Sequence, residues 1–396
     1  MILPCGAATS QDAPDWLLND QTQVTSVISD LELNVVEATD ATTGTSAAVG
    51  NQTDSRSEAA FLDMRSNQRA QAPVDARTRL NVTANASDST QLSTSAHGNV
   101  ADAAVARGGV MTGVYTQTVT GGPVRALSQI EGATARAGDV SVDVTARGSS
   151  QRLSADYAST GARINQSSTA SVSADGGGVL NRVTGQASFN AVAQTNAAGI
   201  TGTNGAAQRV IVQQRSAGPE TLAAQFTAFG SSYLTATTTG AAANTVEADN
   251  SGPLLDLTSS QTNTAYVRSQ AETSSFAFSR SEAEASGVGN NLNALDLNGQ
   301  LRLDTAQVND GAGVEAIARF TGDNGYDGYA TARATGNQVQ AQACGDCVGL
   351  WTESRQTSNA DVGARATLTA TGPVRSLSGS ASAVGNSSSY YVSRGR

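Results

Sequence analysis

The sequence predicts an all-β fold: an elongated β-solenoid, or β-helix-like rod, built from degenerate repeats of about 24 residues that pair to about 48. Three observations carry this reading. The first is period-two alternation. Val140, Val142, Val144 and Ala146 alternate with Ser141, Asp143 and Thr145. Val183 to Ala193, Val314 to Phe320 and Val362 to Ala370 alternate in the same way. Such a pattern puts one face of a strand in a core and the other in water. The second is a recurrence of glycines that close small-residue runs: Gly50, Gly98, Gly148, Gly240, Gly289, Gly336 and Gly385. Their spacing is about 48, with one gap of about twice that, whose missing member falls near residues 193–199. The third is the small size of the inward positions Leu377, Gly379, Ala381, Ala383 and Gly385. Ala and Gly fit the thin interior of a solenoid. At about 24 residues per coil and about 4.8 Å per step, roughly fourteen coils rise about 65–70 Å.

Taken along the chain, residues 1–20 read as an export-related or flexible segment. "MILPC" is a short apolar start without a basic region, and "AAT" offers small residues for cleavage. "LPC" is a poor lipobox, so Cys5 is not expected to carry lipid. Residues 21–379 form the repeat region, and 380–396 a C-terminal cap or docking strand. Two stretches carry helical spacing, residues 13–28 and 55–71. No apolar run is long enough to cross a membrane as a helix. The pairs Gly50–Asn51, Gly98–Asn99, Gly289–Asn290, Gly336–Asn337 and Gly385–Asn386 read as corners, because Gly and Asn tolerate positive φ. Stacked Asn side chains would hydrogen-bond along the rod axis. A second marker, at Pro73, Pro123, Pro219 and Pro373, lies near the midpoints between these glycines and suggests other corners. Two of its copies share GPVRxLS.

Composition restricts function. Charged residues are 15% of the chain, against about 25% in ordinary domains. Net charge is −10, and the 24 basic residues are all Arg, spread thinly. Binding to nucleic acid needs clustered positive charge, so that class is excluded. Hydrophobic residues at 39%, patterned as above, argue against disorder over most of the length.

No catalytic, metal or cofactor residues are assigned. Cys344 and Cys347 form CGDC; with one histidine in the chain a tetrahedral zinc site is not expected, and a local disulfide is the default in an exported protein. Asp323, Asn324 and Asp327 offer oxygen ligands among glycines, but the set lacks a bidentate Glu and reads as a turn. "ADGGGVLN" at 174–181 also reads as a turn. His97 reads as an exposed corner residue, and Glu282 and Glu284 as edge-protecting charges. Trp351, Tyr390 and Tyr391 are the candidate partner contacts, with the two tyrosines on opposite faces of a strand.

The segments "TQVTSVISDLELNVVEATDATTGTSAAVGNQT", GPVRALS, GPVRSLS and "SASAVGNSSSYYV" resemble the holdfast anchoring protein D family of stalked alphaproteobacteria over essentially the full length. The resemblance implies a structural, non-enzymatic cell-surface protein associated with the outer membrane. It implies attachment of an adhesive polysaccharide, and partners that include a curli-type secretion channel and a small fibre-forming anchor subunit. The alternatives are a β-helical polysaccharide lyase or hydrolase, which would need a localised Asp, Arg and His or Lys cluster, and an amyloid-like fibre subunit, which would need near-identical repeats. Self-association of the rod through exposed repeat edges is a further expectation.

Overall fold

The computed structural model describes residues 15–345 and 349–394. All of its regular structure is β-strand. The first coil consists of β1 (Asp15–Gln23), β2 (Val27–Glu37) and β3 (Ala41–Glu58). The second is β4 (Phe61–Ala70), β5 (Val74–Asn85) and β6 (Ser89–Ala106); the third is β7 (Val110–Val119), β8 (Val124–Ala137) and β9 (Asp139–Asp156). In the next four coils the second and third strands fuse. These coils are β10 (Ser159–Ser168) with β11 (Val172–Thr203), β12 (Ala207–Ser216) with β13 (Glu220–Asn250), β14 (Leu254–Asn263) with β15 (Tyr266–Asp296), and β16 (Gln300–Asn309) with β17 (Val314–Gly345). The last coil is β18 (Gly349–Ser358), β19 (Val362–Ala370) and β20 (Val374–Arg394).

Each strand pairs in parallel with its equivalent one coil away. The short first strands make an eight-stranded sheet in the order β1-β4-β7-β10-β12-β14-β16-β18. The remaining strands form the other two sides, which merge into one sheet system where β11, β13, β15 and β17 run through both. Asp15 pairs Leu62, Leu62 pairs Met111, and the register continues to Leu350 without a slip. A coil is therefore the whole 48-residue period. The 24-residue half is not a coil of its own, and eight coils rise about 34 Å rather than 65–70 Å.

The proline markers show why the half-period looked regular. Pro73, Pro123 and Pro219 sit in the turn between first and second sides, where their carbonyls accept from Val27, Val74 and Tyr266. Pro373 sits in a different corner, between the second and third sides, and accepts from Gly325. GPVRxLS is thus a turn-to-strand sequence that recurs in two phases of the coil. Both expected helices are strands: residues 13–28 contribute β1 and the start of β2, and 55–71 the end of β3 and all of β4. In β4, Leu62, Met64, Ser66, Gln68 and Ala70 all face inward, a period of two. Parallel pairing with the neighbouring coil overrides helix propensity here.

Two apolar cores run the length of the rod. One lies between the second side and the first half of the third, with Val74, Leu80, Leu92, Val142 and Phe189. The other lies between the first side and the second half of the third, with Met64, Met111, Tyr115, Leu153 and Ile164. In the later coils the first core holds the pairs Phe189–Phe229 and Phe278–Phe320, with centroids 6.0 and 5.0 Å apart. Gly178 gives Phe189 its room, since a Cβ there would lie 2.6 Å from the ring. "ADGGGVLN" is accordingly part of β11 and not a turn.

Candidate functional site

Between the two cores stands a polar wall built from one residue per coil on each of two sides. On the first side it is Gln21, Gln68, Gln117, Gln166, Gln214, Gln261, Gln307 and Gln356. Each Nε2 from Gln68 onward donates to the Oε1 of the Gln one coil back, at 2.7–2.9 Å. The same amides also donate to a backbone carbonyl on the third side, from Gln52 in the first coil to Ser387 in the last. Buried primary amides are thereby satisfied at both ends, which removes the cost of burying them.

Facing this ladder is the asparagine corner. Asn51 donates to Asn99, and Asn196, Asn244, Asn290 and Asn337 each donate to the Asn one coil ahead, at 2.7–2.8 Å. Their second proton goes to a first-side carbonyl, such as Arg69 for Asn51 and Val308 for Asn290. The ladder breaks once. Coil three has Ser149 between Asn99 and Asn196. Ser149 Oγ and Asn196 Oδ1 are both buried without a hydrogen-bond partner.

The glycines before these asparagines do not have positive φ. At these four coils they allow close approach: with the backbone as it stands, a Cβ on Gly50, Gly98, Gly289 or Gly336 would lie 2.5 Å from the carbonyl oxygen of the next coil. The corner bends because Gly98 and Asn99 both face inward, which flips the alternation in mid-strand. Gly240 is not part of this column; Thr195 and Ala243 hold it in coils four and five. Positive φ lies instead in the turns: from third side to first at Ala59, Arg107, Gly108, Tyr157, Asn204 and Gly205, from first to second at Gly121, Gly311 and Gly313, and from second to third at Ser87.

The other sequence candidates fall as follows. Cys347 lies outside the described residues, as do Cys5 and residues 1–14; Cys344 is half-buried at the end of β17. His97 is not an exposed corner. It is half-buried in β6 between Val49 and Arg147, and burial, then Arg147, pushes it down to about 4. Glu282 and Glu284 are on β15, an inner strand, so they guard no edge; they pair with Arg280 and, one coil on, Arg333. Asp327 is engaged by Arg375 and Ser376, and Asp323 by Thr371 and Asn324. Among the described residues no group of three or more His, Cys, Asp or Glu side chains is arranged to hold a metal. β20 carries the 380–394 stretch in residue-by-residue register with β17, so it is part of the last coil. Tyr390 continues the inward column of Ala341, and Tyr391 the outward column of Gln342.

One surface feature was not picked out from the sequence. At the corner between second and third sides, the ladder skips Tyr233 and Tyr326 with no change of register between β13, β15 and β17. Both rings are exposed and line a shallow groove with Arg182, Thr184, Ser231 and Ser279. Arg375 lies 5.4 Å from the Tyr326 ring. The signal was present in the sequence, as aromatics that break the alternation, but only the register shows that they align.

The family model for Holdfast attachment protein D matches residues 36–313 and 293–392. No curated protein and no solved structure matches the chain. The matched residues run from the first coil to the last, so the likeness extends over the whole solenoid. The chain belongs to the holdfast attachment protein D family.

Proposed function

We propose that the solenoid is a structural anchor at the cell surface, holding the adhesive polysaccharide of the holdfast to the outer membrane. The observation that supports this most is the extent of the family match, which covers the repeat array and not one isolated cleft. A rod that repeats the same outward columns suits many weak contacts summed by multivalency. The groove of Tyr233 and Tyr326 has the chemistry that sugar rings recognise: exposed aromatic faces beside Arg182 and the hydroxyls of Thr184, Ser231 and Ser279. A curli-type secretion channel and a small fibre-forming anchor subunit are the expected partners at the membrane.

Deletion of the gene tests this reading. Cells without the protein shed adhesive material into the medium, and complementation with the Tyr233→Ala, Tyr326→Ala double variant restores surface protein with several-fold more shedding than wild type. Normal attachment of the deletion strain would contradict the anchoring role.

A further inference from the structure

The first and last coils are complementary to one another. Among the described residues, nothing pairs with the outer edges of β1 and β2 or of β18 and β20. Such edges normally invite another strand, and repeat arrays normally cap them. The polarity of the two ladders specifies what fits. Glutamine donors point toward the preceding coil, so at the far end the Oε1 of Gln356 has no donor among the described residues. At the near end, the Nε2 of Gln21 uses one proton on Gln52 and has a second to give. The asparagine ladder runs the other way. It leaves the Nδ2 of Asn386 without an acceptor and the Oδ1 of Asn51 without a donor among the described residues. Each end therefore presents what the other lacks.

The register extends the match to the outer face. Following Cα partners through every coil, Trp16 occupies the same column as Trp351, by way of Asp63, Thr112, Gly161, Arg209, Asp256 and Arg302. These are the only two tryptophans of the chain, and they are 61% and 56% exposed. Asp20 shares a column with Arg355 in the same sheet. Asp30 shares one with Arg365 on the second side. In the two apolar columns Val27 faces Val362 and Leu33 faces Leu368 by the same pairings.

We propose that the last coil of one copy docks onto the first coil of a second copy in unbroken register, so that the solenoid continues from chain to chain. Both amide ladders then run through the junction, Trp351 stacks beside Trp16, and Arg355 and Arg365 meet Asp20 and Asp30. The contact is heterologous and head-to-tail, so it does not close on itself and builds a filament. Near-identical repeats are not required: only the two terminal coils have to match. The proposal is independent of what the rod attaches.

Charge reversal at the two ends tests it, using the full-length chain under electron microscopy and sedimentation. Parent protein forms rods whose lengths are integer multiples of one chain, and its tryptophan emission shifts to the blue as rods lengthen. Asp20→Arg with Asp30→Arg, and Arg355→Asp with Arg365→Asp, each leave single rods, because every junction then opposes like charges. All four positions are exposed, and circular dichroism checks that strand content is unchanged. An equimolar mixture of the two variants elongates again, since each blocked end meets its complement on the other chain. Single rods from the parent at every concentration, elongation of either variant alone to the parent's extent, elongation without a tryptophan shift, or failure of two folded variants to co-assemble would each overturn the proposal.

Discussion

Ser149 is the residue at which the molecule departs from its own rule. The asparagines on either side of it are held by amide-to-amide bonds, whereas Asn196 Oδ1 and Ser149 Oγ are buried and unpaired. A Ser149→Asn substitution supplies the missing amide in a column that already accepts Asn in all seven other coils. The expected gain is about 1 kcal/mol, since a buried acceptor obtains its donor; chemical denaturation measures it. His97 gives the chain a pH response at the same scale. Its folded value of about 4 lies below the ordinary 6.5, so the fold prefers the neutral ring. Protons then bind the unfolded chain more readily, and this contribution is complete above pH 6.5 and declines as pH falls toward 4. His97→Val, the residue its column holds one coil earlier at Val49, is expected to flatten the stability profile between about pH 6.5 and 5. An unchanged slope in urea titrations would assign the acid response to other groups.

The glutamine ladder dominates at the scale of the element. It holds the first side to the third across the gap between the two cores, where apolar packing is interrupted. Gln166→Ala removes the donor to Gln117 Oε1 and to the Ala197 carbonyl, and the acceptor of Gln214 Nε2. Leaving such buried groups unpaired is expected to cost about 2–4 kcal/mol, seen as a lower denaturant midpoint. A Gln at the exposed position 213 has no comparable role, and its alanine variant serves as the control. The ladder was open to a sequence search. Glutamines at 21, 68, 117, 166, 214, 261, 307 and 356 repeat at the coil period as faithfully as the glycines do. They were missed because a buried amide has no signature until its partners are known. The asparagine corner was legible, since Gly-Asn is a conspicuous pair, but its physical cause was not. At Gly98 the next coil's carbonyl oxygen lies 2.5 Å from where a Cβ would stand, and positive φ is used elsewhere, at Ala59 and Tyr157.

For the molecule as a whole, alternation of apolar and polar residues was enough to indicate strands, and small inward residues were enough to indicate a solenoid. Coil length was harder to read, because proline turns at two different corners imitate a half-period: Pro123 opens β8 and Pro373 opens β20. The surface groove was not legible, because Tyr233 and Tyr326 lie 93 positions apart and are aligned only by two coils of register. One coil takes about 48 residues in continuous parallel register. Positions 63 and 302 share an outward column and are five coils apart. Nitroxide labels placed there, in a chain whose native cysteines are replaced by Ser and diluted with unlabelled protein, are expected to lie about 24 Å apart by double electron–electron resonance. A separation near twice that, on the order of 48 Å, is what coils of half the length would give, and it would contradict the account.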